Sequence, residues 1–164
     1  MLYFSYGSNM SYARILERVP SVKFFATAKL IEHELRFHKK SVDGSSKCDA
    51  YQTGNPDHVI IGVVFEIDEV EKPALDKKEG LGIGYEEKEV ALITSTGEAI
   101  EALTYYATSI DEELKPYHWY KHHVLIGAQE YELPEGYRDI IKSIEAIEDH
   151  DRERHEREMG IYAK

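Results

Sequence analysis

Apolar residues fall along the chain in short blocks with two different periods. The run Val59-Ile60-Ile61-Gly62-Val63-Val64-Phe65 is β-branched and bracketed by turn residues. It predicts a buried strand in the centre of a sheet, with Gly62 leaving room for close backbone approach. Weaker, partly alternating segments at 2–6, 22–30, 34–38, 85–93 and 99–108 predict the remaining strands, for a six-stranded count. Between the last two stands the turn cluster Thr94-Ser95-Thr96-Gly97, so those strands should pair as an antiparallel hairpin. Helical spacing is rarer. Tyr12, Ile15, Leu16 and Val19 share one face after Asn9 or Ser11, either of which can cap a first turn, and Pro20 stops the run. Residues 72–78 predict a short helix with Pro73 in its first turn and Gly80 just past its end. Tyr137, Ile140, Ile141, Ile144 and Ile147 follow the i, i+3, i+4, i+7 pattern behind Pro134 and predict a helix packed on the sheet. Two stretches predict mobile chain: 39–57, rich in Ser, Gly, Asn and Asp, and 148–158, almost wholly charged.

At 164 residues the chain predicts one domain over 1–148 followed by a charged C-terminal tail, 149–164, that should be removable without loss of turnover. The hydrophobic fraction of 42% against 31% charged excludes wholesale disorder. No apolar run approaches the roughly 18 residues that would span a bilayer, and Met1-Leu2-Tyr3-Phe4 lacks the features of a secretory signal. With Cys48 the single cysteine, neither an intramolecular disulfide nor a cysteine-clustered zinc site can form, and a cytoplasmic location is expected. Twenty basic against 31 acidic residues give a net charge of −11, a field that repels polyanions and argues against nucleic acid as a partner.

Three constellations carry chemistry. In Tyr3-Phe4-Ser5-Tyr6-Gly7-Ser8-Asn9-Met10 a strand passes through glycine into a capped helix, which aims free backbone amides at whatever sits above the strand's end. The same residues also fit an ordinary strand-to-helix turn. In the second, Glu79 stands at the last turn of a short helix, where the dipole should push its pKa upward and fit it for proton exchange; a solvated helix-end glutamate is the alternative. The glycines at 80, 82 and 84 do not form a dinucleotide-binding fingerprint, and no Gly-Lys-Ser/Thr tripeptide supports a phosphate loop. Third, His118 and His122 would share a face if helical, but no glutamate lies inside the pair and no cysteine is near, so a metal site is not expected. Cys48 reads as a loop bystander.

Taken together, these residues resemble the γ-glutamylcyclotransferase family. Tyr3 to Met10 resembles its Tyr-Gly-Ser-Asn segment, and Glu79-Gly80 after Leu75-Asp76 resembles its catalytic glutamate motif. Phe24-Phe25-Ala26, Gly62-Val63-Val64, Tyr120-Lys121, Gly127-Ala128 and Leu133-Pro134 follow in the family's order, so the resemblance covers residues 2–147. It implies an α+β fold built as a small mixed β-barrel with flanking helices. It also implies release of 5-oxoproline from γ-glutamyl amino acids or γ-glutamyl amines, the substrate's α-amine attacking its own γ-carbonyl, with no cofactor and no metal.

Carried over by resemblance, Glu79 is the general acid/base, Tyr3, Phe4, Ser5, Tyr6, Gly7, Ser8 and Asn9 hold the γ-glutamyl group, and Tyr120 lines the pocket. Tyr85 matches a family tyrosine only if the intervening loop is one residue shorter here, which bears on the width of the leaving-group pocket. The 39–57 loop departs from the family's pattern and is placed to select the amine side. Asn9 stands where the glutathione-specific branch has leucine, which disfavours free glutathione. A different class of function is a non-catalytic binding protein that keeps the pocket; intact Glu79 argues against it. The expected partner is a small-molecule γ-glutamyl substrate, and the oligomeric state is left open, a homodimer included.

Overall fold

The computed structural model describes residues 1–163. Its strands are β1 (Leu2–Ser5), β2 (Lys23–Ile31), β3 (His33–Lys40), β4 (Ser46–Gln52), β5 (Val59–Glu66), β6 (Tyr85–Thr94) and β7 (Ala99–Ala107). Its helices are α1 (Tyr12–Arg18), α2 (Lys72–Glu79), α3 (His118–Glu130), α4 (Glu135–Ser143) and α5 (Arg152–Gly160). Five strands close a barrel in the order β1-β5-β2-β6-β7, and β3 and β4 form a separate two-stranded sheet. The barrel is mixed because β1 runs parallel to β7 at Tyr3↔Leu103 while its other pairings are antiparallel.

The apolar run became β5, hydrogen-bonded on both sides by β1 and β2. Gly62 is required there: a Cβ would lie 2.4 Å from the Ser5 carbonyl oxygen and 2.8 Å from the Phe4 ring. The predicted hairpin is β6–β7, in register from Tyr85↔Ala107 to Ile93↔Ala99. Ser11 is the residue that caps α1, its hydroxyl accepting the Arg14 amide at 3.4 Å.

Three expectations need correction. Residues 39–57 are not simply mobile, because β4 lies within them and pairs with β3 through Leu35↔Ala50. What fixes β4 is tertiary: Cys48 and Ala50 are buried, and Asp49 meets the His38 ring at 2.7 Å and accepts the Ala107 amide at 2.8 Å. The helix expected through Ile147 stops at Ser143; Ile144 is extended, and Ile147 instead bridges to Tyr117. Ile140 therefore stands 57% exposed despite its helical spacing. Finally, residues 149–163 do not lie off the fold as a mobile tail. Asp149 is buried, accepting from the Trp119 indole at 2.8 Å and pairing with Arg154 at 2.6 Å, and α5 follows. Beyond α5, Ile161 is buried and Tyr162 bonds to Ser11 at 2.9 Å and to His123.

Candidate active site

The site is built where β1 leaves the barrel. After Ser5 the chain passes Gly7 and enters a 3₁₀ turn over Ser8–Met10. Gly7 is needed for close approach, since a Cβ there would lie 3.0 Å from that of Cys48 and 3.3 Å from the Tyr120 hydroxyl. On the other side the turn is pressed by α3 at Gly127, where a Cβ would fall 2.4 Å from the Met10 Cβ and 2.6 Å from the Ser11 nitrogen. Two glycine contacts thus leave the 7–11 segment little freedom.

Glu79 arrives from the opposite direction. Helix α2 is anchored by buried Leu75 and by Asp76, which accepts from Tyr105 at 2.5 Å and Lys72 at 2.8 Å. The helix ends at Gly80, whose φ of 72° is the left-handed conformation that glycine adopts without strain. That ending turns the Glu79 carboxylate toward Asn9, whose side-chain amide donates to Glu79 Oε1 and also to the Tyr3 hydroxyl at 3.2 Å. No hydrogen bond occupies Glu79 Oε2 among the described residues.

Glu79, half-buried, sits at the junction of two cavities. The first is narrow and lined by tyrosines. Tyr3, Ser5, Tyr6, Gly7, Ser8, Asn9, Tyr85 and Tyr120 all face it. Phe4 does not; its ring is fully buried against Gly62, turned into the core by strand alternation. Cys48, expected to be a loop bystander, instead lies on β4 and joins the lining, as does Tyr105, which the sequence did not single out. The Cys48 backbone ties the wall together, its N–H donating to the Tyr120 oxygen at 2.9 Å and its carbonyl accepting from Tyr85 at 2.5 Å. The second cavity, about 300 Å³, shares Ser8, Glu79, Tyr85 and Tyr120 with the first and opens between α1, α2 and the β3–β4 sheet.

Electrostatics separates the roles. Burial pushes the Glu79 carboxyl above its ordinary 4.5, while Arg18 and Arg14 pull the other way. The upward direction matches expectation, but desolvation rather than the helix dipole is its main cause. Burial also raises Tyr3, Tyr6, Tyr85 and Tyr120 well above 10, so these phenols stay protonated near neutral pH. Among the described residues no group of three or more His, Cys, Asp or Glu could hold a metal ion.

The model of the AIG2-like family matches residues 59–141. Over 154 residues the chain is 34% identical to the γ-glutamylcyclotransferase of Homo sapiens, covering 88% of this chain and 78% of that one. The chain belongs to the γ-glutamylcyclotransferase family. The family's Bos taurus enzyme is 33% identical over 151 residues, with 88% and 78% covered. A solved structure titled γ-glutamyl cyclotransferase superposes with a TM-score of 0.87 at 30% identity, covering 100% of this chain and 99% of that one. The closed mixed barrel with flanking helices described above is the fold that superposes on it. Among the described residues no helix is long and apolar enough to cross a membrane.

Proposed function

We propose that this chain is a cytoplasmic γ-glutamylcyclotransferase, releasing 5-oxoproline from γ-glutamyl amino acids or γ-glutamyl amines with Glu79 as general acid/base. The observation that carries this reading is the placement of Glu79 between the narrow tyrosine-lined cavity and the wide one. A substrate with its γ-glutamyl group in the first and its amine in the second has its scissile amide beside the carboxylate. A buried, unpaired Cys48 is compatible with a reducing compartment.

Cyclisation asks little else of a protein. The substrate's α-ammonium must lose a proton before it can attack, and the departing amine must gain one. Glu79 Oε2 is open to do both in turn, while Asn9 on Oε1 holds the group in position. With nucleophile and carbonyl in one molecule, folding the substrate so that they lie about 3 Å apart supplies much of the acceleration, and no protein nucleophile is required. The phenols of Tyr3, Tyr6, Tyr85 and Tyr120, being protonated, are suited to orient the substrate rather than to take its proton. Backbone amides of the 7–9 turn are suited to the substrate carboxylate or the developing oxyanion.

The test is chemical. Purified protein incubated with γ-glutamyl-alanine should form 5-oxoproline and alanine in equal amounts, measured by chromatography and mass spectrometry. Failure to form 5-oxoproline from any γ-glutamyl amino acid or amine would overturn the reading.

A further inference from the structure

Although the chain as a whole carries −11, the wall of the wide cavity is cationic. It contains Arg14 and Arg18 from α1, Lys39 from β3, Lys47 from β4, and Lys77 and Lys78 from α2, with Glu79 its only acidic residue. Two of these six are already matched: Arg14 pairs with Glu158 and Lys47 with Asp43, each at 2.8 Å. The other four have no carboxylate within ion-pair distance among the described residues. Setting Glu79 against one of them leaves three uncompensated positive charges. Arg18 is the clearest case, its Nε buried without a hydrogen-bond partner. Lys39, also buried, sets its ammonium over the Tyr85 ring at 4.6 Å, with Glu79 and Asp43 acting on it only from beyond ion-pair distance. Burial lowers the pKa of Arg18, Lys39 and Lys47. Cations desolvated in this way gain when an anion enters.

We infer that this cavity is the leaving-amine subsite and that it selects amines carrying two negative charges, conjugates of γ-glutamate with an acidic amino acid being the simplest substrates. The inference rests on the cyclotransferase reading. A γ-glutamyl group brings one carboxylate of its own, which can answer at most one of the three free charges. The other two call for two acidic groups on the amine side. Neutral amines leave them unanswered, and a polyamine would meet like charge. Reaction balance is unaffected by this choice: the α-nitrogen bonds to the γ-carbon and the amide C–N bond breaks, while the α-ammonium gives up two protons, one before attack and one on ring closure, and both pass in turn through Glu79 to the departing nitrogen, which leaves as an ammonium. 5-Oxoproline and the acidic amine leave, and no water is consumed.

The experiment is a charge series of γ-glutamyl substrates assayed for 5-oxoproline: γ-glutamyl-putrescine, γ-glutamyl-butylamine, γ-glutamyl-alanine, γ-glutamyl-aspartate and γ-glutamyl-glutamate. At low salt kcat/KM should rise along the series by about fivefold or more per added negative charge, the scale of a partly exposed ion pair. The spread should narrow as ionic strength rises. In Arg18→Gln, and in the exposed double variant Lys77→Gln/Lys78→Gln, which does not put the core at risk, the ratio of γ-glutamyl-glutamate to γ-glutamyl-butylamine should fall. Turnover with no preference, or with preference for neutral or cationic amines, would overturn the subsite and leave the cyclotransferase reading standing. An acidic preference unchanged in both variants would remove it from this wall. Absence of 5-oxoproline from every substrate would overturn both readings.

Discussion

Replacing Glu158 by glutamine tests whether the C-terminal helix is part of the working fold. Glu158 projects from α5 onto Arg14, whose guanidinium also donates to the Ser8 hydroxyl at 3.1 Å, so one cation joins the C-terminus to the turn that lines the site. Burial opposes the charge on Glu158, but the His123 ring and Arg14 outweigh it and hold the carboxyl at about 2 rather than its ordinary 4.5. At 1.36 kcal/mol per pKa unit, that displacement corresponds to up to about 3 kcal/mol at neutral pH. Both side chains retain some exposure, 9% for Arg14 and 18% for Glu158, and Arg14 keeps Ser8 in the variant. We therefore expect Glu158→Gln to cost about 1–3 kcal/mol, a fall of about 3–10 °C in Tm for a chain of this size. The sign with pH follows from the depressed value. The contribution is fully present above the unfolded-state pKa near 4.5 and is lost as pH falls toward 2, so the gap between wild type and variant should close over that window. His123, which burial holds at about 4 and Glu158 raises, titrates in the same window, so the gap between wild type and variant reads the Glu158 contacts to Arg14 and His123 together. Thermal unfolding followed by circular dichroism from pH 7 to pH 2.5 provides it, with Arg14→Gln and the double variant closing a cycle. A Tm unchanged at pH 7, or losses that simply add in the double variant, would refute the coupling.

Gly127→Ala should cost at least about 1–3 kcal/mol and lower kcat together, because the new methyl meets Met10 and Ser11 backbone rather than a movable side chain; urea unfolding and steady-state rates check this. Tyr120→Phe leaves the buried Cys48 N–H without its acceptor, so about 1–3 kcal/mol of stability should be lost, while kcat falls less than in Glu79→Gln. Ending the chain at residue 148 removes Asp149, Ile161 and Tyr162 from buried partners, and the product should be markedly less stable than the full chain in thermal unfolding, against the expectation of a dispensable tail.

What the sequence made legible followed from local physics. β5, the β6–β7 hairpin, the Ser11 cap and the Gly80 helix end each rest on a period, a turn cluster or one special residue, and each stands where those signals put it. β4 was hidden because Ser-Lys-Cys-Asp-Ala-Tyr-Gln has no β-branched residue and lies among Ser and Gly; its strand is imposed by Asp49 and Cys48 contacts to distant segments. Helix α5 was hidden because Arg-Glu-Arg-His-Glu-Arg-Glu shows no apolar stripe; it is held by ion pairs at Arg154 and Glu158. Barrel closure through β1 and β7 is a long-range pairing that no periodicity reports, and the family resemblance supplied it. At the site, Glu79 and the 3–9 segment stood out as motifs. Cys48 and Tyr105 carried no local mark, and Phe4 sits in the motif but alternates into the core. The cationic wall was concealed most completely, since its six residues come from four elements and the net charge of the chain has the opposite sign.

The central claim is that one carboxylate moves the proton. Glu79→Gln keeps the shape of the side chain and a carbonyl that can still accept from Asn9, yet cannot take a proton from the substrate's α-amine or return one to the leaving group. The decisive measurement is the 5-oxoproline formation rate of this variant beside wild type, with thermal unfolding and affinity for a γ-glutamyl ligand as controls. Turnover should fall by at least about 10²-fold while both controls hold. A folded Glu79→Gln protein forming 5-oxoproline at the wild-type rate would contradict the account.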